Sequence, residues 1–183
     1  MKILTGQLRG RVIPIRPGAH LRPTADKARK AICDMLCGGM EGKNVLDLFS
    51  GTGALGMEAL SNGAEKATFV EADKNALRRI GDNLKKLGLF ERSRLIAGDV
   101  LKTIPHLEDY YDFIFSDPPY ERGWTEKTLA ALSAARIWHE DTLVVAECHE
   151  KEKPPDRAGN FKIVKTKVYG DSKVIIYQPV HSS

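Results

Sequence analysis

From Val45 onward, short apolar runs alternate with amphipathic segments, and this alternation restricts the chain to few folds. The apolar runs cover residues 45–49, 67–72, 94–98, 112–117 and 142–148. Segments with helical periodicity lie between them, at residues 54–61, 74–87 and 125–135. Runs that are apolar on both faces are typical of a parallel sheet, because helices cover both of its sides. We therefore predict an α/β fold with a doubly wound, mostly parallel sheet.

The end of the chain departs from this pattern. Residues 161–179 hold two β-rich runs on either side of Tyr169-Gly-Asp-Ser172, which indicates an antiparallel hairpin. We expect a sheet of seven strands that ends in this hairpin.

A basic segment precedes the sheet. Residues 1–30 contain eight lysines and arginines against the single acid Asp26, a net charge of +7, whereas the remainder of the 183 residues carries −3. Residues 2–15 should be extended, and a helix capped by Thr24 should run from about Ala25 to Leu36. We expect a basic extension over residues 1–40 and a main domain over 41–183. Such a charge asymmetry predicts a polyanionic partner.

Several classes of protein are disfavoured by composition. Three cysteines are too few for a disulfide framework, and the five histidines lack ligand spacing, so we predict no metal site. No apolar run approaches the length of a membrane span, and the first residues lack the apolar stretch of a secretory signal. We expect a monomer in the cytoplasm that does not bind membranes.

The clearest motif is Asp47-Leu-Phe-Ser-Gly51-Thr-Gly53-Ala-Leu-Gly56, which follows a strand and opens a helix. Glycines at such a turn let a ligand approach the backbone. The spacing fits the G-x-G-x-x-G fingerprint of dinucleotide-binding folds, so the motif alone is compatible with NAD as well as S-adenosylmethionine. Glu71 ends the second strand, where an acid could bind ribose hydroxyls.

Three features favour S-adenosylmethionine. Asp47 precedes the glycine loop, where a carboxylate suits an amino-acid ammonium and would repel a pyrophosphate. After the third strand, Asp99 could accept a hydrogen bond from the adenine amino group while Val100 packs on the ring. The fourth strand ends in Asp117-Pro118-Pro119-Tyr120, which has no role in hydride transfer. The candidate cofactor-binding residues are Asp47, Phe49, Ser50, Gly51, Gly53, Glu71, Ala72, Asp99, Val100 and Asp117.

The same tetrad suits methylation of a nucleobase amine, a poor nucleophile because its lone pair is delocalised into the ring. The Asp117 carboxylate and the Pro118 carbonyl could accept hydrogen bonds from the amine and draw its lone pair outward. Pro118 and Pro119 restrict the backbone, and Tyr120 could stack on the base, worth about 1–3 kcal/mol. We predict that Asp117, Pro118, Pro119 and Tyr120 are catalytic.

These motifs resemble those of the bacterial 16S rRNA guanine-N2 methyltransferases of the RsmD type. The resemblance rests on residues 6–11, 21–26, 47–60, 116–120 and 169–172 and covers nearly the whole chain. It implies a class I, Rossmann-like methyltransferase domain over residues 41–183, which uses S-adenosylmethionine to methylate guanine N2 of 16S rRNA within a small-subunit particle. The predicted substrate contacts are Arg9, Arg11, Arg22, Thr24, Lys27, Arg29 and Tyr120.

Three other functions stay open at this point. A DNA adenine-N6 methyltransferase can use the same tetrad, but it usually carries a target-recognition region for which 183 residues leave no clear room. A methyltransferase of protein side-chain amides more often has Asn in place of Asp117. A silent RNA-binding module would not need complete cofactor and catalytic motifs.

Overall fold

The computed structural model of the chain describes residues 1–15, 23–36, 38–119 and 123–180. Its elements follow one another in the alternating order that the sequence predicts. In chain order they are α1 (Pro23–Leu36), β1 (Asn44–Leu48), α2 (Ala54–Ser61), β2 (Lys66–Glu71), α3 (Lys74–Leu87), β3 (Ser93–Ala97), α4 (Val100–Thr103), β4 (Tyr111–Ser116), α5 (Trp124–Ala135), β5 (Trp138–His149), β6 (Arg157–Ala158), β7 (Phe161–Tyr169) and β8 (Ser172–Pro179).

Within the described ranges, eight strands form one sheet in the order β3-β2-β1-β4-β5-β8-β7-β6. Strands β1 to β5 are parallel, and β8, β7 and β6 add antiparallel pairs. The doubly wound fold and the C-terminal hairpin are therefore confirmed. The expected count of seven strands was one too low, because the two residues of β6 are too few to produce a strand pattern in the sequence.

Helices cover both faces of the sheet. Val45 of β1 lies in a core with α1, α2 and α3 on one face, whereas its neighbour Leu46 lies in a core with α4 and α5 on the other. Successive residues of a strand point to opposite faces, so both must be apolar when both faces are covered. This explains the continuous apolar runs.

Residues 1–15, which we name the N-terminal loop, fold back on themselves instead of running extended. Lys2 and Val12 form an isolated antiparallel bridge, and the chain turns between them with positive φ angles at Gly6 and Gly10. Ile3 and Ile13 are buried in the same core as α1 and α2. The start of the basic segment therefore shares the hydrophobic core of the sheet.

The turn of this loop packs against the C-terminal end of α2. The Gln7 amide donates to the Ser61 carbonyl, and the Leu8 amide donates to the Ser61 hydroxyl. Gly6 has a φ of +75°, and a Cβ there would lie 2.1 Å from the Ser61 carbonyl oxygen. Only glycine lets the backbone of the turn come this close to Ser61, and this contact fixes the position of the turn on α2.

A buried carboxylate fastens the loop to the middle of α2. Glu58 is 1% exposed, and its Oε1 accepts a hydrogen bond from the Leu4 amide at 2.7 Å. Its Oε2 accepts from the Thr5 amide at 3.1 Å and from the Thr5 hydroxyl at 3.0 Å. A buried carboxylate is stable only when donors satisfy it in this way.

Helix α1 begins at Pro23, two residues before the predicted start at Ala25. Proline suits the first helical position, since its amide nitrogen would have no helical partner there. Thr24 therefore belongs to the first turn of the helix rather than to its cap, and its side chain lies outside the described residues.

We expect Glu58→Gln to destabilise the fold by about 1–3 kcal/mol, because an amide NH₂ would face the backbone donors of Leu4 or Thr5. Urea unfolding measures the change. The exposed Glu65 provides the matched control, and Glu65→Gln should stay within about 0.5 kcal/mol of the wild type. Equal unfolding free energies for the two variants would contradict the role of Glu58.

Candidate active site

Four acids meet at one edge of the sheet, which we name the carboxyl edge. Asp47 lies near the end of β1, Glu71 ends β2, Asp99 follows β3 and Asp117 follows β4. Because these four strands are adjacent and parallel, their carboxyl ends lie side by side. Strand order reverses between β1 and β4, which is the position where folds of this class bind ligands.

The glycine loop turns sharply from β1 into α2. Phe49 has a φ of 57°, unusual for a residue with a side chain, and Gly53 precedes the helix with a φ of 74°. Inside the turn, the Ser50 hydroxyl donates to the Asp47 carbonyl at 2.6 Å and the Gly53 amide donates to the Ser50 carbonyl at 2.6 Å. These internal bonds hold the loop in one shape.

The glycines of the loop serve different purposes. A Cβ at Gly51 would meet only the Phe49 carbonyl oxygen, at 3.8 Å, so Gly51 borders open space. A Cβ at Gly56 would lie 2.3 Å from the Phe69 ring, so Gly56 is needed for packing of α2 on the sheet. Gly51 and Glu71 also line a cavity of about 270 Å³. Gly51 is thus the glycine that leaves room for a ligand.

Asp47 is buried beneath this loop. It is 3% exposed, and its Oδ2 accepts a hydrogen bond from the Gly56 amide at 3.0 Å. The pKa of Asp47 is raised to about 8, chiefly by burial and also by the negative charges of Asp117 and Glu71, against the lowering effect of the bond from Gly56. The carboxyl therefore keeps its proton at neutral pH unless a cation comes close enough to stabilise the carboxylate.

Glu71 supports the loop from the neighbouring strand. Its Oε2 accepts from the Gly51 amide at 2.7 Å, and its Oε1 accepts from the Asp73 amide at 2.8 Å. Each carboxylate oxygen has a second lone pair, so these bonds leave acceptor capacity for a ligand hydroxyl. The exposed Ala72 follows Glu71 at the same edge.

Asp99 and Val100 form the start of α4. The Asp99 Oδ1 accepts from the Lys102 amide at 3.0 Å and so caps the helix, while its Oδ2 makes no hydrogen bond within the described part of the chain. Asp99 is exposed, and Val100 is buried at 3% exposure. An acceptor beside an apolar surface is the combination that an adenine ring requires.

The segment after β4 is described only in part. Asp117 and Pro119 are exposed and Pro118 is buried, whereas Tyr120 lies outside the described residues. The effect of Asp117 on the pKa of Asp47 indicates that the two carboxyl groups are close. The predicted tetrad therefore begins next to the glycine loop.

An aromatic contact that the sequence analysis did not anticipate joins this segment to the glycine loop. The rings of Phe49 and Trp124 meet edge to face, with 5.3 Å between their centroids. Trp124 is the first residue of α5. Nothing in the local sequence pattern indicates its contact with Phe49; the sequence shows only that it lies just after the tetrad, where the next helix begins. The pair connects the β1 turn to the helix that follows the tetrad.

The predicted RNA contacts are spread over the surface. Arg9 and Arg11 are exposed in the N-terminal loop, whose turn lies at the end of α2 remote from the glycine loop. Helix α2 has eight residues, so this separation is about 12 Å. Lys27 is exposed on α1, whereas Arg22 and the side chain of Thr24 lie outside the described residues.

Arg29 is an exception among these predicted contacts, because it is inside the protein. It is 6% exposed, and its Nη2 donates to the Lys2 carbonyl at 3.2 Å. This burial argues against the predicted contact with RNA. The guanidinium instead ties α1 to the N-terminal loop.

The described residues contain no group of three or more histidine, cysteine or acidic side chains that could hold a metal ion. Among the described helices, none is long and apolar enough to cross a membrane.

A protein-family model and two relatives match almost the entire chain. The family model described as conserved hypothetical protein 95 matches residues 1–178. Ribosomal RNA small subunit methyltransferase D of Escherichia coli K12 is 30% identical over 178 residues, which are 97% of this chain and 89% of that protein. The protein of the same name from Haemophilus influenzae is 31% identical over 182 residues, covering 97% of this chain and 93% of its own length.

Solved structures agree with the fold. The yhhF protein of Escherichia coli superposes with a TM-score of 0.85 at 30% identity and covers 98% of this chain and 97% of its own. A conserved hypothetical protein of Streptococcus pyogenes superposes with a TM-score of 0.78 at 34% identity, covering 83% of this chain and 95% of its own.

We expect Asp47→Asn to stabilise the ligand-free protein increasingly as pH rises. The pKa of Asp47 is about 8 in the folded state against 3.8 as its ordinary value, so the folded state retains a proton that the unfolded state loses between these values. The stability that this proton contributes is complete below the unfolded pKa and is lost as pH rises through the folded pKa. Asparagine cannot ionise but keeps an acceptor for the Gly56 amide.

Thermal melts at pH 5, 6.5, 8 and 9 measure this effect. The advantage of the variant should grow by at most about 1.4 kcal/mol per pH unit and level off above pH 8. Asp82→Asn, at an exposed carboxyl of α3, is the control and should show no such trend. A difference between Asp47→Asn and wild type that is constant with pH would contradict the buried, protonated state.

Proposed function

The chain belongs to the conserved hypothetical protein 95 family, and from this membership we propose that it is an S-adenosylmethionine-dependent methyltransferase of small-subunit ribosomal RNA. The target group is the exocyclic N2 amine of a guanine. The observation that carries this proposal is the meeting of four acids and the Gly51 turn at the carboxyl edge, beside the Asp-Pro-Pro segment that follows β4.

The residues at this edge fit the cofactor electrostatically. S-adenosylmethionine carries an ammonium and a sulfonium. A cation near Asp47 would be attracted by the charges of Asp117 and Glu71 and would favour the ionised form of Asp47. A pyrophosphate would add negative charge at the same place, which disfavours NAD. When bound, S-adenosylmethionine supplies a methyl group that its sulfonium makes electrophilic.

Each strand end has a separate role in holding the cofactor. Asp47 faces its cationic amino-acid portion, Glu71 accepts hydrogen bonds from the ribose hydroxyls, and Asp99 accepts one from the adenine amino group. Val100 packs on the adenine ring. The backbone and side chains around them complete the site: Phe49, Ser50, Gly51, Gly53 and Ala72.

The segment after β4 prepares the nucleophile. The Asp117 carboxylate and the Pro118 carbonyl accept hydrogen bonds from the guanine N2 amine, and Tyr120 stacks on the base. These contacts direct the nitrogen lone pair at the methyl group, and most of the acceleration comes from such positioning. Methyl transfer would break the methyl–sulfur bond of the sulfonium and leave its electron pair on sulfur. The Asp117 carboxylate would accept the proton that the nitrogen loses.

An RNA substrate needs cations, because the acids of the carboxyl edge repel phosphates. Arg9, Arg11, Arg22 and Lys27 contact the RNA backbone and supply salt-dependent affinity. Arg9 and Arg11 belong to the N-terminal loop, whose turn lies about 12 Å from the glycine loop along α2. A substrate that contacts both regions must therefore extend over them and hold its phosphates in a fixed arrangement. A small-subunit particle in the cytoplasm meets this requirement for a monomeric enzyme.

We expect Asp117→Ala to lower the single-turnover rate of methylation of small-subunit particles by about 10²–10⁴-fold, a typical effect of losing a group that handles a proton. S-adenosylmethionine affinity should change far less, because Asp117 contributes only one of several nearby charges to the cofactor site, whereas it contacts the amine directly. Asp141→Ala, at an exposed residue of β5, is the control and should keep the wild-type rate.

The same assay tests the substrate, with double-stranded DNA and protein-free rRNA supplied as alternative substrates. A near wild-type rate for Asp117→Ala would contradict its catalytic role. Methylation of DNA at adenine N6 faster than methylation of the particles would show that DNA, and not rRNA, is the substrate.

Asp99→Asn should weaken S-adenosylmethionine binding by about ten- to a hundredfold, the loss of a hydrogen bond to a charged acceptor. Asparagine keeps Oδ1 for the Lys102 amide but presents an NH₂ to the adenine amino group. Titration calorimetry measures the change, with Asp82→Asn as the control. Unchanged affinity would rule out this placement of the adenine.

A further inference from the structure

Three lysines lie on the same face of strand β7. Lys162 and Lys165 are three residues apart, so in a regular strand they would point to opposite faces. The register shifts between Ile163 and Lys165, which leaves Val164 as an extra residue in a bulge. Lys162 therefore pairs with Gln178 and Lys165 with Ile176, which share one face of β8.

Lys167 continues this row opposite Val174. Val174 and Ile176 belong to the core that packs against α1, so the lysines project from the α1 face of the sheet. We name Lys162, Lys165 and Lys167 the lysine row.

Among the described residues, no acidic side chain pairs with the lysine row. All three side chains are exposed, and within the described part of the chain none of them forms an ion pair or a hydrogen bond. No acidic residue occurs between Arg157 and Gly170. Lys165 and Lys167 are about 7 Å apart along the strand. Charges this close repel one another at physiological salt, since the screening length is about 8 Å.

The row leads to the carboxyl edge. Strand β7 is antiparallel to β8, which is antiparallel to β5, so β7 runs in the direction of the parallel strands. Its last residue, Tyr169, pairs with Ser172, which pairs with His149 at the end of β5. β7 lies three strands from β4, roughly 14 Å from the strand that precedes Asp117.

Further cations lie at this end of the sheet. Lys151 and Lys153 follow β5 and, together with Glu126 and Glu152, line a cavity of about 580 Å³ at the first turn of α5. Residues 150–180 as a whole contain seven lysines and arginines against four acids, a net charge of +3. The positive charge of the chain is therefore not confined to its first 30 residues.

We propose that the lysine row binds phosphates of the ribosomal RNA as a second RNA-binding surface, in addition to the basic segment. This inference rests on the proposed function, since it concerns the same substrate. The spacing of about 7 Å lets each lysine engage its own phosphate. RNA bound there extends along the α1 face towards the carboxyl edge and helps to orient the target guanine.

Lysines on an edge strand can also serve to prevent edge-to-edge pairing of sheets. Along residues 163–169, no strand among the described residues pairs with the outer edge of β7. Edge protection, however, does not require lysines on a common face, which is what the bulge at Val164 produces. Phosphate binding does require it, because a backbone can follow only one face.

The test uses a double variant that carries both Lys165→Gln and Lys167→Gln. Its binding to small-subunit particles is compared with that of the wild type over a range of salt concentrations. Loss of two phosphate contacts should weaken binding about tenfold or more at 0.1 M salt and reduce the slope of log affinity against log salt by about 1.4–1.8. S-adenosylmethionine affinity should not change. The charge-conserving variant, Lys165→Arg with Lys167→Arg, should retain both particle binding and its slope.

A matched control removes two exposed lysines from the half of the molecule that contains β2 and α3, away from β7. Lys66 begins β2 and Lys86 lies in the last turn of α3, so Lys66→Gln with Lys86→Gln changes the net charge equally. This variant should keep most of its affinity and slope. Equal losses in the two glutamine variants would show a non-specific charge effect and overturn the proposal.

Light scattering of the same samples tests edge protection. If Lys165→Gln with Lys167→Gln self-associates and binds particles with an unchanged slope, the row protects the edge and the proposal is wrong. If wild type methylates particles and the variant binds them equally well, only this inference fails. If wild type neither binds nor methylates particles, the proposed function fails and this inference fails with it.

Discussion

The hydrogen bond from the Gly56 amide to the buried Asp47 carboxyl holds the centre of this molecule together. It joins the central strand β1 to the helix that follows it, at 3.0 Å. The bond requires α2 to lie close to the sheet, which only a glycine at position 56 permits, and the loop between them must turn through positive φ angles at Phe49 and Gly53. The same closeness removes water from Asp47 and raises its pKa to about 8. The close approach of α2 to β1 therefore contributes both to the packing of the site and to the burial that raises the pKa of Asp47.

Helix α2 carries a second buried acid, and the comparison of the two shows how the surroundings divide their roles. Glu58 receives three hydrogen bonds from Leu4 and Thr5, so its charge is balanced within the protein and fastens the N-terminal loop. Asp47 receives one bond from the backbone and lies near two further acids, Glu71 and Asp117. The first carboxylate stabilises the fold. The second favours a cation, which is what the proposed cofactor brings to this edge.

Much of the architecture was predictable from the sequence because its signals are local. Apolar runs covered on both faces predicted a parallel sheet, and the turn residues at 169–172 predicted the hairpin. The strand order could be expected only in outline, and the two residues of β6 left no signal. The buried position of Arg29 was missed for a related reason. In the sequence, an arginine of a basic segment looks the same whether its side chain points to solvent or, as Arg29 does, to the Lys2 carbonyl.

By itself, the sequence determined which residues stand at the ends of the strands, since periodicity and turn chemistry act over a few neighbouring residues. It therefore determined that acids lie at or just after the ends of the first four strands and that glycines follow the first of them. Tertiary structure alone decided that the N-terminal loop turns back onto α2 and that the bulge at Val164 aligns the lysines of β7. These features depend on contacts between residues far apart in the chain, such as Leu4 with Glu58. Their free energy comes from packing and buried hydrogen bonds that exist only once the fold has formed.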